Sequence, residues 1–364
     1  MLRDQFTLTP GYSESARRLL DDLYRALQID DQWSVRERER FTWWADNLAQ
    51  RVSIDPICAA NGLPMVSVRI ETDVLRGVAD TEEAASFLGL LNYLASLSAW
   101  VWDKRRGEVK LTCSLWCEAR NADRLKDLLA WAMALQCADA HATAPHAAQL
   151  LGCEVDASHH PVNGPRPAPD DMLGVRALLA TDEGADANCL PKEEFARAAE
   201  YLRINFLATH GDDGLTAEFP FWGGMPMMVQ WALGRNPARR ETSLLEVLSR
   251  QSHPCLGSGL QLLLRLPVDA DRRFGAEVSR RLNAAEAAEW HPFSTLGAWC
   301  WDPHCAVVAF VSFVPARVGA LGKLIWLVDN MRVRSAWAHE FVTEVLGIEA
   351  KAPESPASFE ERTG

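Results

Sequence analysis

The feature that most constrains how this chain folds is a repeat at a spacing of about 198 residues. Ser98-Ala-Trp100-Val-Trp102-Asp103 is matched by Gly297-Ala-Trp299-Cys-Trp301-Asp302. Each segment leads through a short polar turn into an apolar strand, Val109 to Trp116 in one copy and Ala306 to Phe313 in the other. Ala119-Arg120 and Ala316-Arg317 follow, and then a helix that closes on Ala140-His141 or Ala338-His339. Upstream, Gly62-Leu63 lies against Gly259-Leu260, and Pro56 falls opposite Pro254. Offsets that stay between 196 and 199 over five landmarks predict a duplicated unit.

Hydrophobic periodicity sets the elements of each unit. Ala16, Leu19, Leu20, Leu23 and Leu27 recur at helical spacing, with Arg17, Arg18, Asp21 and Asp22 between them, which predicts an amphipathic helix over 13–29 behind a Ser13 cap. Phe41–Trp44 and Val52–Ile54 read as short strands, and Val66-Ser-Val68-Arg-Ile70-Glu alternates as a half-buried strand does. Asp80-Thr-Glu-Glu83 opens a second helix like a capping box, the tryptophan hairpin adds two strands, and a last helix follows Asn121. In the second copy, helices are predicted over 192–209, 272–289 and 321–345, and strands over 227–233, 243–250 and 260–266. Residues 215–222 read as an extra strand or a long loop. Both units therefore read α-β-β-β-α-β-β-α, an α+β fold with an antiparallel sheet and helices mainly on one face. The first unit spans 1–157 and the second 191–347. The intervening 158–190, with four prolines in 161–169, reads as a semi-rigid linker and short helix, and 348–364 as a disordered tail.

Composition narrows the function classes. With 48% hydrophobic and 24% charged residues the chain has a globular balance. Its net charge of −12 argues against general nucleic-acid binding, which needs a Lys/Arg surplus. No stretch is apolar for long enough to predict a membrane span, and the N-terminus lacks a signal-peptide pattern. The nine cysteines are an odd number in apolar surroundings, read as reduced core thiols of a cytoplasmic protein. Cys137 and His141, or Cys113 and Cys117, make pairs at a plausible spacing, but two ligands are no zinc site. Gly257-Ser-Gly259 is no phosphate loop, and no GxSxG occurs. No cofactor or metal is expected.

The order of elements, in acidic units of about 140 residues, resembles the type III secretion chaperone-like fold, which includes class I secretion chaperones and YbjN-like proteins. The resemblance covers residues 13–141 and 192–345 and rests on element order, size and charge. It implies binding of an extended partner segment along apolar grooves or sheet edges. Chaperones of this kind pair as homodimers, so a tandem copy implies a covalent pseudo-dimer that is monomeric overall. Two other readings stay open: an enzyme with an unfamiliar site in the groove between the units, and a type VII secretion-type chaperone.

Candidate partner-binding residues are mostly aromatic. Trp100 with Trp102, and Trp299 with Trp301, share one strand face each, and serve either a core or a groove. Trp43 and Trp44 are neighbours on a strand and point opposite ways, so one is expected at an interface unless the pairing of units covers it. Met225, Met227 and Met228 beside a Gly pair suit an adaptable surface or a loop anchor. Asp103 and Asp302 read as turn starters before a catalytic pair. His141 and His339 read as helix-end caps, His159-His160 as solvated linker residues, and Arg36 to Arg40 as a solvated edge. No catalytic residue is assigned.

Overall fold

The apolar stripe after Ser13 becomes α1 (Pro10–Ala26), which buries Ala16, Leu19, Leu20 and Leu23. The computed structural model describes residues 10–58, 64–117, 122–180, 200, 216–218, 226–233, 241–269, 271–288, 291, 293–318 and 323–345. The expected helix over 192–209 and the tail 348–364 lie outside the described residues, apart from Glu200. After α1 come β1 (Ser34–Arg36), β2 (Arg40–Trp44), β3 (Ala49–Cys58) and β4 (Pro64–Arg76). Then follow α2 (Glu82–Tyr93), β5 (Ala99–Asp103), β6 (Glu108–Cys117) and the long α3 (Ala122–Leu151). Thr81, one residue past the expected cap, starts α2: its side chain accepts from Ala84 N at 3.2 Å.

Beyond α3 the chain adds β7 (Glu154–Val155), a 3-10 turn and α4 (Val175–Ala180). The second half contributes β8 (Thr216–Glu218), β9 (Pro226–Leu233), β10 (Glu241–His253), β11 (Gly257–Asp269), α5 (Arg272–Ala288), β12 (Ala298–Asp302), β13 (Val307–Pro315) and α6 (Leu324–Glu340). The fold is α+β with two antiparallel sheets. One sheet runs β1-β2-β3-β4-β6-β5, with β7 paired to β4; the other, read from its far edge, runs β8-β9-β10-β11-β13-β12. The main path is the same. β1 extends the first sheet by one short strand beyond the expected three upstream of α2, and β8 is a short strand within 215–222, where an extra strand or a long loop was expected.

The hairpins pair in the same register at the tryptophans' offset of 199, with Trp100 facing Leu111 and Trp299 facing Phe310, so β13 answers to β6 two residues beyond the expected match of Val109 with Ala306. The neighbouring strands depart from the sequence alignment. Leu111 faces Thr72 while Phe310 faces Leu264, so Leu264 of β11 takes the place that Thr72 holds in β4. That register displaces the Pro56–Pro254 match and sets Gly259 in the place of Ser67, while Gly62 lies outside the described residues. The difference is absorbed between α5 and β12, in a loop longer than that between α2 and β5. That extra loop carries residues that join the halves, as described below.

Period-2 alternation places one face of the first sheet under α1, α2 and α3. Trp43, Val52, Val68, Ile70, Cys113 and Leu115 pack there with Leu125, Leu128 and Leu129 of α3. The helix expected to close at His141 instead runs on to Leu151 with Pro145 inside it. Ala140, Ala144, Ala147 and Ala148 pack this extension against Trp102, Val74 and Val109, and that burial offsets the hydrogen bond that Pro145 cannot donate. The opposite face of the first sheet is polar, as the β4 alternation implied, but it meets the second half: Arg69 Nη1 donates to Ala287 O at 2.6 Å.

The halves join reciprocally. Thr295 N donates to Ser114 O at 2.8 Å, and Phe313 N donates to Ser96 O at 3.0 Å. At the hairpins' offset of 199, Phe313 holds the place in the second half that Ser114 holds in the first, and Thr295 the place of Ser96. Ala99 and Val101 of β5 pack with Ala287 and Ala298, while Tyr93 of α2 packs with Leu263, Cys300, Ala309 and Val311 of the second sheet. A contact in which each half offers the same patch has the form of an isologous dimer interface.

Candidate functional site

The join brings α2 and α5 alongside the two tryptophan hairpins, and between them lies a cleft of about 280 Å³. Its lining draws Leu88, Gly89, Leu90 and Tyr93 from α2, Arg272, Glu277 and Arg280 from α5, and Trp100, Trp102, Trp299 and Trp301 from β5 and β12. The four tryptophans are thus both core and cleft wall. Trp100, Trp102 and Trp299 are buried, Trp301 is half-buried, and Leu90 is exposed at the edge.

The sheet edges that flank the cleft are closed by an identical device in each half. Asn92 Nδ2 donates to Trp100 O at 3.0 Å, and its Oδ1 accepts from Trp100 N at 2.8 Å. Asn283 does the same for Trp299, at 2.8 Å in both bonds. Each carboxamide occupies the backbone groups that another strand would use, so β5 and β12 do not present a free edge there. The sequence repeat did not show this pair, because Asn283 precedes its tryptophan at twice the distance that separates Asn92 from Trp100.

Charge in the cleft is held in a cluster around Glu277. Its carboxylate takes Arg280 and Arg281 at 2.8 Å and Lys104 at 3.4 Å. The hydrogen bond from Arg280 leads in holding its pKa down to about 2, so it stays ionised and is a poor proton donor or acceptor near neutrality. Lys104 also reaches Asp80 at 2.8 Å and lies 5.0 Å from the centre of the Trp102 ring. Arg272, the first residue of α5, is exposed and has no ion-pair or hydrogen-bond partner among the described residues.

Burial also raises the pKa of Tyr93 in the lining, whereas the buried thiols and Asp139 lie outside it. Burial pushes the Cys113 thiol up to about 12 and the Cys137 and Cys300 thiols up as well, which leaves them protonated and unreactive. Burial raises Asp139 to about 6 against the pull of Arg176 at 3.2 Å. Among the described residues, no three His, Cys, Asp or Glu side chains converge as metal ligands.

Several expected sites take a different place. Trp43 and Trp44 do point opposite ways, but both are buried. Trp43 Nε1 donates to Gln50 Oε1 at 2.9 Å under α3. Trp44 Nε1 donates to Ser158 Oγ at 3.2 Å beneath a strap formed by 156–170. The strap is held by Arg166 Nη1 donating to Trp44 O at 3.0 Å and by Asp170 N donating to Ala45 O at 2.7 Å. Within it His160 is not solvated: it is buried edge-on to Trp44 and accepts from Asn163 N at 3.0 Å.

His141 sits inside α3 rather than at its end, bonded to Cys137 O at 2.8 Å, and burial lowers its pKa, so a charged cap is excluded. His339 is in the last turn of α6, as expected. Asp103 and Asp302 bind their own turns, through Arg105 N and His304 N at 2.9 Å each; Asp302 also takes Arg265 Nε at 3.1 Å. Arg36 lies over the Tyr24 ring at 4.4 Å and pairs with Asp21. Met227 and Met228 are in β9, opposite Val247 and Glu246; Met225 lies outside the described residues.

A second, broader groove of about 990 Å³ runs between α3 and the strap, past Trp33, Trp131 and Pro167. In its lining Arg166 and Asp170 are paired with each other at 2.9 Å, and Asp127 and Asp171 leave it acidic. The cleft at the join, walled by four indoles, is the stronger candidate for a partner-binding site. The tryptophan repeat pointed to four of its walls, whereas Gly89, Arg272 and Glu277 carry no signal outside the folded chain. No protein-family model, curated protein or solved structure matches this chain.

Proposed function

We propose that this chain is a non-enzymatic protein-binding module, a tandem secretion-chaperone-like or YbjN-like adaptor that holds a partner segment in the cleft between α2 and α5. The observation that carries the reading is an indole-walled cleft at a reciprocal join of two like sheets. Aromatic walls beside a charged rim are what a protein anchor site needs. The only acid in the lining among the described residues is tied to three cations, which favours a binding role over proton transfer. On this reading the two units are a duplicated pair within one chain, which acts as a cytoplasmic monomer because each half already covers the other's pairing surface.

The test is affinity capture from the native lysate with the wild-type chain and a Gly89→Phe variant. A Cβ at Gly89 meets nothing within 4 Å, so the larger side chain enters the cleft without forcing the helix backbone aside. One defined protein retained by the wild type and lost by the folded variant is the expected result. A co-purifying metabolite lost by the variant in place of a protein overturns the reading in favour of a ligand site. Trp43 and Trp44 are unsuitable for this purpose, because removing either opens the core.

A further inference from the structure

We infer that the cleft between α2 and α5 selects a segment in which one large apolar side chain is flanked by acidic residues. The inference rests on the binding reading and adds the chemistry of the occupant. Two independent features of the cleft carry it.

The first is Gly89. It stands in the interior of α2, where glycine weakens a helix relative to alanine. Among the described residues no packing reason for it is found, since a Cβ there meets nothing within 4 Å. Glycine instead keeps the wall of the cleft flat opposite the indoles. The cleft, about 280 Å³, falls just below the range for small-molecule pockets and suits a single large side chain.

The second is charge. The chain carries −12 overall, yet among the described residues this cleft is lined by Arg272 and Arg280 against Glu277 alone, with Lys104 reaching in to the same carboxylate. Asp271, which precedes Arg272, is occupied in capping α5 through Phe274 N at 2.8 Å, and Asp80 is occupied by Lys104. Arg272 remains without a partner among the described residues and is exposed at the edge of an apolar cavity. A carboxylate next to the anchored side chain would meet it, whereas a lysine there would be repelled. Such complementarity chooses between partners more than it adds affinity.

The experiment uses the full chain and four blocked peptides: Ser-Glu-Phe-Glu-Ser, its Gln-Phe-Gln and Lys-Phe-Lys counterparts, and Ser-Glu-Ala-Glu-Ser. Binding is read by quenching of tryptophan fluorescence at low and at physiological salt. The Glu-Phe-Glu peptide is expected to bind one per chain, at least tenfold tighter than Gln-Phe-Gln, with the Lys and Ala peptides weaker still. Arg272→Gln should remove most of that tenfold preference, lowering the Glu-Phe-Glu affinity far more than the Gln-Phe-Gln affinity. Gly89→Phe should abolish binding of every peptide without lowering the melting temperature. Equal binding of the acidic, neutral and basic peptides, or no peptide binding, overturns the inference. If Gly89→Phe still releases the captured lysate protein in that event, the binding reading survives without this chemistry. If the variant changes neither measurement, both fall.

Discussion

Buried polar side chains set the character of each core at the scale of single residues. Gln136 of α3 donates to Ile70 O at 3.2 Å and Ser98 Oγ at 3.1 Å, and accepts from Thr72 Oγ1 at 2.9 Å. Arg334, at the matching place in α6, is buried against Phe310 at 3.7 Å and bonds Glu286 Oε1 at 3.0 Å. Glu286 Oε1 also accepts from Trp299 Nε1 at 2.7 Å. Each helix thus brings a multiply bonded polar group beneath its sheet, where an unpaired one would cost about 1–3 kcal/mol. Asp139 is less well compensated, and it has a pH signature. Its folded pKa, about 6, lies above the ordinary aspartate value, so the folded state binds this proton more tightly than the unfolded state. Its contribution to stability should therefore fall as pH rises from about 4 to about 6 and stay level above that. Urea midpoints of wild type and Asp139→Asn at pH 4.5, 5.5 and 7.5 check this. The variant should gain relative to wild type across the interval, and parallel midpoints would sink the assignment.

Among the elements, β5 and β12 carry the most information, because an edge strand must hide its backbone or recruit another chain. Asn92 and Asn283 hide it with a bidentate carboxamide. Asn92→Ala and Asn283→Ala should each lower unfolding free energy by about 2 kcal/mol or more, since both a buried N–H and a buried C=O lose their partner. Urea denaturation measures the loss, and midpoints within error of wild type would refute the role. The elements themselves were largely legible in the sequence. The alternation in 66–71, the helical stripe in 16–27 and the paired hairpins all became what their periods imply. Misreadings arose where packing overruled a local signal, as in α3, whose alanine face carries it past His141 and through Pro145.

Across the whole molecule, the reciprocal join and a core that runs from α1 and α3 into the second sheet and α6 make the halves depend on one another. Thr295 is a direct probe: its Oγ1 accepts from Ser114 N at 2.7 Å across the join. Thr295→Val should cost about 1–3 kcal/mol by leaving that amide unpaired. Wild type should unfold in one transition by tryptophan fluorescence and far-UV circular dichroism together, and the variant in one earlier transition. Two separated transitions in the wild type would show halves that stand alone and would contradict a shared core.

Local periodicity was enough to establish an α+β chain with two like hairpins, because alternation and helical spacing reflect which face of an element is buried, whatever lies over it. What lies over it is a property of the fold. Trp43 and Trp44 alternate as any strand pair does, yet α3 and the strap bury both. The two Asn clamps sit at unequal distances from their tryptophans and meet equivalent backbone only once a longer loop has been folded away. Gly89 is an ordinary helix position until α5 is set across from it and leaves a cleft. Burial and enclosure need a second surface from distant sequence, and only the packed halves supply one.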